Sequence, residues 1–170
     1  TVMKIKDYAF SNCKKLSSIR FEASAVPLTI GFQSAADLAD QEGPFYQSPL
    51  TDIYVNRELV PSESYADKRD QNDEGIFSTS FDDAVVTVTL EDNVKTISDY
   101  MFTGVKMESL TIPGSVTTIG NDVFNGCDKL ESITFESSPT DQALTIGWNT
   151  DDTDEGLFVD CPLQTVNLNR

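Results

Sequence analysis

Three cysteines, Cys13, Cys127 and Cys161, are the side chains best suited to covalent chemistry in this chain of 170 residues. Each follows a phenylalanine (Phe10, Phe124, Phe158) by three positions. A thiol nucleophile normally works with a base beside it, and histidine is absent. That removes the commonest general base and the commonest zinc ligand, and no Ser-His-Asp or Cys-His arrangement can be built. Ser48, Ser80 and Val105 occupy the same place in other copies of the pattern. The position therefore asks for something small and buried, and cysteine fits as a small apolar residue. Cys127 and Cys161 fall in neighbouring copies, within reach of a disulfide by distance alone. A ladder of free thiols is the expectation and a bridge is the alternative.

Carboxylates form the second group. Asp151, Asp152, Asp154 and Glu155 crowd ahead of Gly156, dense enough in oxygen to hold Ca²⁺. Their spacing does not match an EF-hand loop, and no bidentate Glu follows at the right distance. A solvated acidic loop without metal is expected, and Asp67, Asp70, Asp73 and Glu74 make a weaker cluster of the same kind. Paired carboxylates can hydrolyse glycosides, but none here is set in a recognisably apolar stretch. The chain is expected to be non-enzymatic and to carry no cofactor.

The third group could recognise rather than react. Phe32 and Trp148 each follow Ile-Gly directly. An aromatic there either pins its own loop or stacks on a sugar or protein partner. Arg20 and Tyr54, types enriched at binding hot spots, occupy equivalent places in two strand-like segments.

The elements that position these residues come from a repeat. Val94-Lys95-Thr96-Ile97 leads to Phe102 and then Leu110-Thr111-Ile112; Val116-Thr117-Thr118-Ile119 leads to Phe124 and then Ile133-Thr134-Phe135. Ile97 and Ile119 are 22 residues apart, as are Phe102 and Phe124. The unit is V-x-x-I, a turn with Phe and a small residue, then L-x-x-I-x-F. It begins at Val2 with Ile5, Phe10, Cys13, Leu16 and Phe21, and about six copies can be traced. The copies at 94–135 are regular, the one ending at Val85–Leu90 is degenerate, and two are stretched. The irregular or inserted segments are 33–43, 57–84 and 149–156. Residues 10–57 also resemble 124–170 at an offset of 113 to 116, which points to duplication of a two-copy block.

The alternation in I-x-F is that of a half-buried strand. Such a strand is too short to stand alone, so the copies must stack. Between the strands, Asp7, Asp99 and Asn121 stand where a one-turn helix would take its N-cap. The expected fold is a mainly β repeat solenoid with short helical turns, a right-handed coil of parallel stacked strands spanning 1–170 as one domain. Its outward row would read Arg20, Tyr54, Thr89, Thr111, Thr134 and Asn167. Beside it would run Ser18, Asp52, Thr87, Ser109, Ser132 and Thr165. This polar face suits an extended interface or plain solubility. Insertions in solenoids gather on one face, often the binding face.

Charge narrows the partners. Lys plus Arg number 12 against 28 Asp plus Glu, for a net −16. Nucleic acid and anionic membrane would both repel such a chain. No apolar run reaches the roughly 18 residues of a membrane helix, so direct membrane insertion is not expected. Thr1-Val2-Met3-Lys4 does not read as a signal peptide.

The segments I-G-N-D-V-F-N-G-C-D-K-L-E-S-I-T-F (119–135) and L-T-I-P-G-S-V-T-T-I-G (110–120) resemble the BspA-like class of leucine-rich repeats. The resemblance covers nearly the whole chain, most clearly 1–30 and 85–148. It implies a secreted or cell-surface bacterial protein, adhesin-like, whose partner is a host or bacterial surface protein or glycan. It supplies no catalytic residues. It also implies that the chain is a fragment or the mature portion of a longer surface protein, with a structural spacer as the alternative to a recognition module. The candidate ligand-binding residues are Arg20, Tyr54, Phe32 and Trp148.

Overall fold

A computed structural model describes residues 2–6, 8–31, 43–62, 75–77, 84–147 and 156–170. Phe32, Trp148, Asp7, Ser80, the cluster Asp151, Asp152, Asp154 and Glu155, and the weaker one from Asp67 to Glu74 lie outside the described residues.

Six coils follow one another, each a short strand, a turn carrying the repeat phenylalanine, and a longer strand. The short strands are β1 (Lys4–Ile5), β3 (Leu28–Ile30), β5 (Leu59–Pro61), β7 (Thr96–Ile97), β9 (Thr118–Ile119) and β11 (Thr145–Ile146). The longer ones are β2 (Ser18–Phe21), β4 (Asp52–Val55), β6 (Thr87–Leu90), β8 (Ser109–Ile112), β10 (Ser132–Phe135) and β12 (Thr165–Leu168). Every pairing is parallel, in the orders β1-β3-β5, β2-β4-β6, β7-β9-β11 and β8-β10-β12. The fold is a mainly β repeat solenoid.

Strand alternation sends Ile53, Val55, Leu110, Ile112, Ile133 and Phe135 into the core. The repeat phenylalanines stack along the coil axis. Phe10–Phe45, Phe45–Phe77 and Phe77–Phe102 each stand 5.6 Å apart between ring centroids, Phe102–Phe124 6.3 Å and Phe124–Phe158 5.4 Å. All five pairs are stacked, so one aromatic column runs through six coils. Burying such a ring contributes about 1.5–3 kcal/mol.

The turns differ from expectation: no helix occurs among the described residues. The backbone N–H groups of Tyr100, Phe102 and Gly104 donate to Asn121, Val123 and Asn125 of the next coil, at 3.0, 3.2 and 2.9 Å. Donors spent across coils cannot close a helix. Left-handed residues set up this geometry: Tyr100 and Gly104 have φ of 56° and 72°, and Asn12, Gln47, Gly126 and Asp160 match Gly104 in their own coils. Asp99 is accordingly no N-cap. Its Oδ1 accepts from the Asn121 N–H, one coil on, at 2.9 Å. Gly120 makes room for it, since a Cβ there would stand 2.1 Å from Asp99 Oδ1.

The stack has a joint in its middle. No strand pairing links β6 to β8 or β5 to β7 among the described residues, although β6 and β8 still pack together. Side chains replace part of the ladder. The Glu58 carboxylate accepts from the N–H groups of Lys95 and Thr96, the role that Lys95 O plays for Thr117 and Thr118 one coil later. Ser98 Oγ donates to Leu59 O at 3.2 Å, and Asn93 Nδ2 to Asn56 Oδ1 at 2.7 Å. β5 itself falls inside 57–84, where no repeat template applied. Leu59 and Pro61 pair with Leu28 and Ile30 and so take the V-x-x-I place of the third coil.

Candidate functional site

The outward row forms on the longer strands as two runs of three. Arg20, Tyr54 and Thr89 are register partners, as are Thr111, Thr134 and Asn167. The flanking row behaves likewise, with Ser18, Asp52 and Thr87 in one half and Ser109, Ser132 and Thr165 in the other. The joint separates Thr89 from Thr111.

Chemistry concentrates in the first run. The Arg20 guanidinium carbon lies 3.8 Å from the centroid of the Tyr54 ring. Arg20 Nε also donates to Glu22 Oε1 at 3.1 Å. Both side chains of that ion pair are more than half exposed, 58% and 69%, so the pair itself adds little stability. The stacked cation adds about 0.5–1 kcal/mol at such a site. Its larger effect is to hold two long side chains in one conformation. Tyr54 Oη accepts from Asn56 Nδ2 at 3.3 Å, and Asn56 Oδ1 accepts from Asn93. Arg20, Tyr54, Asn56 and Asn93 therefore form a connected polar ridge from β2 to the connection between β6 and β7. In the second run the side chains are short, and Asn167 Nδ2 donates to Thr134 Oγ1 at 3.2 Å.

Phe32 and Trp148, the other two candidate residues, lie outside the described residues. Among the described residues no cluster of three metal-ligating side chains occurs, and no helix is long and apolar enough to cross a membrane.

The three cysteines divide. Cys127 is buried, Cys161 half-buried and Cys13 exposed. Burial of all three is the expectation from the repeat position, and the exposed Cys13 departs from it. The position also does more than fill space. The Cys127 thiol donates to Phe102 O at 3.1 Å and the Cys161 thiol to Phe124 O at 3.0 Å, each one coil back. The Ser48 hydroxyl does the same to Phe10 O, and accepts from the Cys13 N–H at 3.2 Å. A small donor, not merely a small residue, suits the place. All three thiols are free.

Glu58 and Arg57 matter to this face and carry no motif in the sequence. Arg57 is buried and its guanidinium donates to Val26 O. Arg170, at the equivalent place, reaches Glu136 O, Gly114 O and Val116 O at 3.1, 3.0 and 2.6 Å. The Asn-Arg shared by 56–57 and 169–170 was the available signal.

The family model described as BspA type leucine-rich repeat region matches six copies over residues 1–34 and 71–170. No curated protein and no solved structure matches the chain.

Proposed function

The chain belongs to the BspA-type leucine-rich repeat family, and from that premise we propose that it is a non-catalytic recognition module, secreted or displayed at a cell surface, that docks a protein or glycan partner on the outward face of its first three long strands. The observation that carries this reading is the Arg20–Tyr54 stack. Arginine and tyrosine are the types that dominate binding hot spots. Here they are half-exposed to exposed, fixed on adjacent strands and tied to Glu22 and Asn56. Little side-chain freedom remains to be lost on association, which is what makes a contact surface efficient.

The test is a binding screen of the chain against extracellular-matrix proteins, bacterial surface proteins and glycans. For any partner found, Arg20→Ala and Tyr54→Ala should each weaken affinity by about tenfold or more, about 1.4 kcal/mol, with the melting temperature lowered by no more than about 4 °C. Thr111→Ala, on the second run, should change affinity by less than about twofold. A partner that binds all three variants equally would place the site elsewhere, and no partner at micromolar strength would favour a spacer.

The second reading, a rigid spacer in a larger surface protein, draws on the aromatic column and the plain hydroxyl row of Thr111 and Thr134. A spacer should keep its function when 33–43 and 149–156 are replaced by short turns, and a receptor that uses those insertions should not.

A further inference from the structure

Cys127 and Cys161 hold the same place in coils 5 and 6, three residues after Phe124 and Phe158. The two turns are fastened to each other just ahead of the thiols. Phe124 and Phe158 stack at 5.4 Å, and the Gly126 N–H donates to Val159 O at 2.9 Å. Adjacent coils in register stand about 4.8 Å apart. That falls inside the roughly 4.4–6.8 Å window of Cα separations that a disulfide accepts. The two thiols are close enough to shift each other's protonation.

We propose that Cys127 and Cys161 form a dithiol–disulfide couple that exchanges with external small-molecule disulfides and, once oxidised, fastens coil 6 to coil 5. Neither the repeat architecture nor a binding role for the strand face requires this. The two thiols are unequal in a way that orders the steps. Cys161 is half-buried, whereas Cys127 is buried. The adjoining Cys127 thiol lowers the pKa of Cys161, against partial burial and the nearby Asp160 and Asp128. Cys127 is pushed the other way, first by Cys161 and then by burial. The Cys161 thiolate therefore attacks one sulfur of the external disulfide, RSSR, and expels RS⁻. Cys127 then loses its proton and attacks Cys161 Sγ, expelling the second RS⁻. Two protein thiols become one disulfide, one RSSR becomes two RSH, and two electrons pass to the external disulfide. The thiol donors to Phe102 O and Phe124 O are surrendered in the process.

The full chain, reduced and then incubated with oxidised glutathione, tests this. After acid quenching and alkylation, the Cys127–Cys161 pair should carry no alkyl group and weigh about 2 Da less than the two free thiols, the two hydrogens of a two-electron oxidation. Peptide mapping should join Cys127 to Cys161, while Cys13 carries a glutathione adduct. In the reduced chain, iodoacetamide should label Cys161 at least about tenfold faster than Cys127. Cys127→Ser should accumulate the mixed disulfide at Cys161, and Cys161→Ser should abolish the bridge without an adduct at Cys127. Serine already fills this place in coil 2 as Ser48, so both variants have a structural precedent. A stable adduct on Cys161 with no internal link, a bridge that uses Cys13, or faster labelling of Cys127 would each overturn the proposal. The cross-link map of the unmodified sequence decides the matter even where a serine variant fails to fold.

Discussion

The place three residues after each repeat phenylalanine shows how much a single residue type does here. Ser48 is fully buried, donates to Phe10 O and receives the Cys13 N–H. Replacing it with alanine leaves a carbonyl and an N–H without that partner. Ser48→Ala should therefore cost about 1–3 kcal/mol, read as a drop in denaturant midpoint at unchanged slope. Val105 occupies the same place in coil 4 without a donor and is buried, so size alone is tolerated there. The sequence supported the small-residue reading because Cys, Ser and Val share size. It could not reveal the donor, because the acceptor belongs to another coil and pairs across 25 to 38 residues of chain. Nor could local pattern reveal that Cys13 is exposed, since its motif is the same as that of Cys127 and only its place in the stack differs.

At the scale of the element, the strands were readable and the turns were not. The 22-residue spacing of Ile97 and Ile119 is the pairing of β7 with β9, and the alignment of Arg20 with Tyr54 is the pairing of β2 with β4. Period-2 alternation is a property of a strand itself, so it survives in sequence. The turns look helical because Asp99 and Asn121 are good caps, yet their backbone donors go to the neighbouring coil, which no single repeat records. Asp99 and Gly120 form one device across two coils. Gly120→Ala should clash with Asp99 and cost about 1–3 kcal/mol, as overpacking does, and Asp99→Ala introduced on top should recover part of that loss in a double-mutant cycle. β5 escaped notice for a different reason: Pro61 sits where the pattern has isoleucine, and only its partner Ile30 identifies the place. At the joint, Glu58→Ala removes the acceptor for two backbone donors of coil 4. Hydrogen exchange at Lys95 and Thr96 should quicken by about tenfold or more, equal to about 1.4 kcal/mol of lost protection, while Thr117 and Thr118 exchange as before.

For the molecule as a whole, the repeat is regular but the environment is not. In a solenoid each coil contacts only its neighbours, so stability is close to a sum of coil and interface contributions. Phe102 and Phe124 have a ring on both sides and are fully buried. Phe158 stacks on Phe124 and is only partly buried. In the same coil Val166 and Leu168 are 50% and 69% exposed, although their strand repeats the pattern that buries Ile133 and Phe135 completely or nearly so. The same substitution should therefore be unequal along the column. Phe124→Ala should cost about 3–5 kcal/mol, the usual range for emptying a core aromatic site. Phe158→Ala should cost less than half as much, because the site is already open and its neighbours can settle into the space. Calorimetry on the two variants measures the difference. Equal costs would mean that coils 5 and 6 unfold as one unit. A large difference, with coil 6 opening first in hydrogen exchange, would mean that coil 6 opens independently of coil 5. The interface between the two coils contains Cys127 and Cys161, so in the oxidised chain the gap between the two phenylalanine variants should narrow.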